Sequence, residues 1–306
     1  MIKDFLPILH DKSFFLKIAV LFLLIAVFLL LTMVIGIVVA LPFYGPGVVF
    51  NLAEMNNLDD PSTVGLLKFF QVVNQLGVFI LPPIAFAWLV NRQPLSYLKL
   101  GVRFRKDHLI LSVMLIFISI PAINMLVVWN EQMDLPDFMN GIENWMRQSE
   151  DQTKHLTDAF LNVKTAGGLI VNLLIIAMMA AIGEELLFRG VVLRLLDEKL
   201  KNVHLAILIS AVLFSSLHMQ FYGFIPRTAI GILFGYMYVW TGSLWIPIIL
   251  HFVFNGTSVV AAYLYNIGAS STDVDSFGYT PNQWIVAGSI LISILLLFMI
   301  YKTRKA

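Results

Sequence analysis

Eight apolar stretches constrain this chain more than any other feature: residues 18–43, 64–90, 109–129, 167–196, 204–219, 225–240, 244–263 and 284–301. A helix crosses the hydrocarbon core of a bilayer with ~20 predominantly apolar residues. Most of the stretches reach that length, and the fifth and sixth fall short, with a brief turn between them. Only 13% of the 306 residues are charged and 59% are hydrophobic, far from the balance of a soluble domain. The pattern predicts an all-α polytopic membrane protein of about eight transmembrane helices, forming one integral membrane domain over 1–306. The first run exceeds the ~7–15 apolar residues of a signal-peptide core, so a retained helix is expected there. Pro82-Pro83 removes two backbone donors from the second run and predicts a kink.

Charge sorts the connections. Lys3, Lys12 and Lys17 precede the first run, and Glu54, Asp59 and Asp60 follow it. Arg92, Lys99, Arg103, Arg105 and Lys106 precede the third run, and an acidic loop from Glu131 to Asp158 follows it. Lys199 and Lys201 follow the fourth run, Asp273 and Asp275 the seventh, and Lys302, Arg304 and Lys305 the eighth. Lys and Arg concentrate on the cytoplasmic side, so both termini are expected in the cytosol. Trp88, Trp129, Trp240, Trp245 and Trp284 fall near helix ends, as an interfacial belt requires. In the long acidic loop, Phe138, Met139, Ile142, Trp145 and Met146 recur at helical spacing. They predict a helix lying on the membrane surface or one packed on the protein. A net charge of +1 suggests no nucleic-acid partner, and the absence of cysteine excludes disulfides, thiolate metal sites and a cysteine nucleophile.

Against this apolar background three short segments carry chemistry. "EELLFR" places Glu184 and Glu185 before Arg189. Residues four apart share a helix face, so Arg189 neutralises Glu185 and leaves Glu184 without a counter-ion on its own helix. An unpaired carboxylate in a low-dielectric site suits a general base, and the alternative is a structural ion cluster between helices. "FSSLH" puts Phe214 and His218 one turn apart in the fifth predicted helix. "HFVFN" puts His251 and Asn255 on one face of the seventh. At ~1.5 Å per residue, Glu184 lies ~22 Å from Lys199 and His218 ~21 Å from His204, so the two match in depth. His251 lies only ~12 Å from Ser243 by the same rise, unless the turn before it sits below the surface. The match requires a long fourth helix; one ending at Arg189 would leave Glu184 too shallow.

The three segments in this order, from about Ala180 to Asn255, resemble the motifs Glu-Glu-x-x-x-Arg, Phe-x-x-x-His and His-x-x-x-Asn/Asp. These mark the CPBP family of intramembrane proteases, also called the CAAX protease and bacteriocin-processing or Abi family. The resemblance implies an intramembrane catalytic site, with a catalytic core at 160–264 on predicted helices four, five and seven. By the resemblance, Glu184 would activate water and His218 would orient or polarise it. His251 and Asn255 would steady the oxyanion or bind a metal, while Glu185 and Arg189 would shape the site. It implies a membrane endopeptidase acting on peptide or protein substrates, with lipidation of the substrate left open, in a bacterial cytoplasmic membrane.

No serine or cysteine in the motifs stands beside a base, so an activated water is the expected nucleophile. It is activated either by Glu184 directly or by a divalent metal such as zinc, held by His218, His251 and Glu184. The chain lacks His-Glu-x-x-His, the most recognisable zinc spacing. The alternative function is a non-catalytic membrane scaffold or bacteriocin-immunity protein, in which the motif residues only bond helices together. A transporter would also hold buried charges, but duplicated halves are not visible in the sequence.

Overall fold

The computed structural model describes residues 7–50, 58–274 and 276–304; Lys3, Glu54, Asp275 and Lys305 lie outside them. The protein is all-helical, with no strand among the described residues. Its helices are α1 (Phe14–Tyr44), α2 (Pro46–Phe50), α3 (Pro61–Val90), α4 (Pro94–Tyr97), α5 (Lys106–Glu131) and α6 (Asn140–Leu161). They continue as α7 (Ala166–Leu200), α8 (Val203–Ser216), α9 (Phe224–Thr241), α10 (Trp245–Asn266) and α11 (Gln283–Lys302).

Six helices, α1, α3, α5, α7, α10 and α11, are long and apolar enough to cross a membrane. They leave many large apolar side chains exposed, among them Phe22, Leu30, Val38, Ile110, Leu291 and Phe298. Such a surface is stable only against lipid. The fifth and sixth expected spans form the hairpin of α8 and α9, which falls outside those six. At 14 residues α8 reaches only ~21 Å, short of a ~30 Å hydrocarbon core. The two helices approach closely because α9 presents glycine: a Cβ on Gly231 would lie 3.0 Å from that of Ala211, and one on Gly235 would lie 2.8 Å from Ile207 Cγ2.

Side chains cap several starts. Asp60 accepts from the Thr63 N–H at 2.9 Å and its hydroxyl at 2.8 Å, and Thr165 accepts from the Gly168 N–H at 3.1 Å. Pro82-Pro83 does not break α3. A π-helical turn at Gln75–Ile80 stands just upstream, and the Leu81 N–H reaches back to the Leu76 carbonyl. The widened turn accommodates the prolines' missing donors within a continuous helix. The fourth run is long, as the depth argument required: α7 is 35 residues, with π-helical turns at Leu173–Met179 and Leu186–Val192 flanking the glutamate pair.

The basic connections gather at one end of the bundle. There the Leu9 N–H bonds the Leu89 carbonyl at 2.9 Å, Lys17 meets Glu198 at 3.5 Å, and Trp245 Nε1 donates to the Leu100 carbonyl at 2.9 Å. At the opposite end α6 joins the turn between α8 and α9. Ser149 donates to the Met219 carbonyl at 3.1 Å, and the Tyr222 N–H donates to Glu150 at 3.2 Å. The start of α6 keeps Phe138, Ile142 and Trp145 exposed, while Trp145 also packs on Phe221 with ring centroids 5.2 Å apart. Its apolar residues therefore serve in part against the protein.

Candidate active site

Three helices bring the motif side chains together between the two main cores. From α7, Glu184, Glu185 and Arg189 are all buried. Arg189 Nη1 bonds Glu185 Oε1 at 2.8 Å, and its Nη2 donates to the Gly231 carbonyl on α9 at 2.9 Å. The guanidinium lies 4.9 Å from the Phe214 ring centroid and 5.6 Å from that of Phe234. Its charge is met by one carboxylate and two aromatic faces. Within the described ion pairs, Arg189 makes none with Glu184.

From α10, His251 donates through Nδ1 to the same Glu185 Oε1 at 2.9 Å. Glu185 thus holds both a guanidinium and an imidazole, which fixes the ring's orientation and leaves Nε2 for the other carboxylate. That nitrogen stands 3.7 Å from Glu184 Oε2, too far for a hydrogen bond. Glu184 Oε2 is buried with no hydrogen-bond partner.

His218 departs from the expected position. α8 ends at Ser216, so His218 lies in the following turn rather than in the helix. Its Nδ1 sits 2.9 Å from the Phe214 carbonyl, one of the acceptors left without a partner at a helix end. Because a carbonyl only accepts, Nδ1 carries the proton, and Nε2 remains available to the cavity. Phe214 organises the group: its ring centroid is 5.0 Å from His218, 6.0 Å from His251 and 5.2 Å from Phe188. Asn255, one turn beyond His251, reaches the Ile176 carbonyl in a π turn of α7 through a long 3.4 Å bond.

Glu184, His218, His251 and Asn255 all line one cavity of about 480 Å³. Glu185 and Arg189 stand behind it. Thr157 and Leu161 of α6 also line it, so the cavity lies toward the acidic end of the bundle. Sequence patterning passed over two further lining residues, Gln220 and Arg227. The available signal was a lone arginine in the first turn of an otherwise apolar helix. Among the described residues no three His, Asp or Glu side chains are grouped to hold a metal ion. His251 Nδ1 and His218 Nδ1 are engaged by Glu185 and a carbonyl, which leaves Nε2 of each ring as the nitrogen a metal could take.

Residues 166–257 match a family described as type II CAAX prenyl endopeptidase Rce1-like. The match covers the motif-bearing segment, under a third of the chain. All four motif residues that line the cavity, together with Glu185 and Arg189, fall within it, and so does the resemblance drawn from the motifs. Two Bacillus subtilis proteins are similar over parts of the chain. The uncharacterized protein YpbD is 33% identical over 88 residues, 28% of this chain and 42% of its own length. YdiL, a candidate membrane peptidase by name, is 32% identical over 114 residues, 37% of this chain and 43% of its own length. The chain spans less than half the length of either relative. No solved structure matches it.

Proposed function

We propose that this protein is an intramembrane endopeptidase that hydrolyses peptide bonds of membrane-associated peptides or proteins through a water activated by Glu184. The observation that carries this reading is the division of labour in the glutamate pair. Glu185 is held by Arg189 and His251 through Oε1, whereas Glu184 is bonded to neither and lines a cavity that also holds two imidazoles and an amide. The Rce1-like segment and the similarity to YdiL support the same class of activity.

In this mechanism Glu184 takes a proton from water as the water oxygen bonds to the scissile carbonyl carbon. His218, oriented by the Phe214 carbonyl, accepts a hydrogen bond from that water through Nε2. Negative charge develops on the carbonyl oxygen, and Asn255 Nδ2 turns from its long bond to stabilise it. His251, held through Nδ1 by Glu185, positions its Nε2 beside Glu184. Glu184 passes its proton to the leaving nitrogen as the C–N bond breaks.

Peptide profiling of membranes bearing wild-type protein or Glu184→Gln tests the reading. The substitution keeps size and removes the base, so cleavage should fall by about 10²–10⁴-fold. An unchanged peptide profile in folded variant protein would instead favour the scaffold or immunity role. Activity retained after exhaustive chelation, in protein whose metal content is measured as nil, is expected; loss restored by zinc would overturn the metal-free route. We further place the protein in a bacterial cytoplasmic membrane with both termini cytosolic. The clustering of basic residues at the end that holds the start of α1 and the end of α11 supports this placement.

A further inference from the structure

Among the described residues Arg227 is the one Lys or Arg lining the cavity of Glu184, and the mechanism leaves it unused. It sits in the first turn of α9 and is partly buried. Its hydrogen bonds run to neutral acceptors of one residue: Nη1 to the Gln220 carbonyl at 3.3 Å and Nη2 to Gln220 Oε1 at 2.6 Å. Among the described ion pairs, none includes Arg227. Glu150, the nearby acid on α6, is engaged by the Tyr222 N–H at 3.2 Å. Gly223 leaves the guanidinium its place, since a Cβ there would lie 3.0 Å from Nη2. Among the described residues Glu184 and Glu150 attract this guanidinium only from beyond ion-pair distance, so its fork stays open to a planar two-oxygen anion.

We propose that Arg227 is a specificity residue that binds a carboxylate of the substrate, so that the enzyme selects peptides presenting one such group a short distance from the scissile bond. This rests on the endopeptidase reading above. A peptide is the occupant that reading requires, and every unmodified peptide carries at least one carboxylate, at its C-terminus or on Asp or Glu. Glu150 on α6 and Glu184 in the cavity disfavour several negative charges, and Arg227 offers a match for one. Gln220 holds the guanidinium until the substrate arrives.

The test uses three fluorescent pools of randomised apolar octapeptides on the full chain: free acids, C-terminal amides, and amides with one internal Glu. Binding is measured in Glu184→Gln protein with and without Arg227→Gln, and cleavage in wild type, Arg227→Gln and Arg227→Lys. Tighter binding of a carboxylate pool than of the amides is expected, by about tenfold, and Arg227→Gln should erase that difference. In cleavage, Arg227→Gln should raise KM for that pool with kcat little changed, and Arg227→Lys should restore part of the loss. Preference for the free acids assigns the terminal carboxylate, and preference for the Glu pool assigns a side chain. Equal binding of all three pools, or a loss in Arg227→Gln that is the same for every pool, overturns the inference and leaves the endopeptidase reading standing. Wild-type protein that cleaves none of the pools while binding carboxylates through Arg227 would count against the endopeptidase reading alone.

Discussion

Two adjacent glutamates with opposite duties set the character of the site at the level of single residues. Glu185 joins a fully buried guanidinium to an imidazole, and Glu184 meets neither at bonding distance. Their neutral amide variants should therefore behave differently. Glu185→Gln leaves Arg189 buried without its counter-charge and should destabilise the fold by about 3–5 kcal/mol. Glu184→Gln should leave stability nearly unchanged while removing cleavage. Thermal unfolding in detergent, followed beside peptide cleavage, checks both; equal destabilisation by the two variants would contradict the division. Phe214→Ala should cost about 3–5 kcal/mol and loosen His218, because one ring packs against both imidazoles and Arg189. The Glu185–Arg189 pairing was legible in the sequence, since four-residue spacing fixes a shared face of one helix. The bond from His251 to Glu185 was not, because periodicity within α10 says nothing of which face of α7 it meets. Arg227 went unread for a related reason: a single arginine near a helix start is ambiguous until the cavity beside it is seen.

Among the elements, the three π-helical turns decide how the site is presented. The turn at Gln75–Ile80 has a visible cause in Pro82-Pro83, whereas those at Leu173–Met179 and Leu186–Val192 contain no proline. Their origin lies in packing between helices, so no local pattern announced them. Gly183, immediately before the glutamates, lets α3 pass against α7: an added Cβ would stand 2.8 Å from Phe79 Cβ and 3.1 Å from Gln75 Oε1. Gly183→Ala should therefore cost about 1–3 kcal/mol by overpacking, read as a lowered unfolding temperature. The sequence placed His218 within its helix because apolar residues continue through Leu217; the chain instead leaves helical geometry after Ser216, and Met219 takes a φ of 52°. On α6, bonds from Arg147 and the Leu135 N–H hold the Glu143 carboxyl below the usual carboxylate range. A lowered folded-state value means that the tie is intact above the ordinary value near ~4.3 and is lost as pH falls through the lowered one. The protection factor of the Leu135 amide, its exchange rate divided into the intrinsic rate at each pH, should accordingly fall on acidification through that window and hold on alkalinisation.

For the molecule as a whole, the alternation of charge along the sequence becomes a separation in space. Basic segments from α1, the loop before α5, the end of α7 and the end of α11 meet at one pole, and α6 covers the other. That much could be read before any coordinates existed, because loop charge needs no packing information. The number of crossings could not, since composition does not distinguish a 14-residue helix in a hairpin from a full span. The chain has no cysteine, which permits a direct test of orientation. Gln93→Cys lies in the exposed segment between α3 and α4, and Gln148→Cys on the exposed side of α6. In intact cells a membrane-impermeant maleimide should label the second and spare the first; the reverse pattern would invert the topology. The catalytic cavity shares its walls with α6. Were that orientation and the proposed activity both to hold, peptides would reach the cavity from beyond the plasma membrane, after export, and newly made chains on the ribosomal side would stay out of its reach.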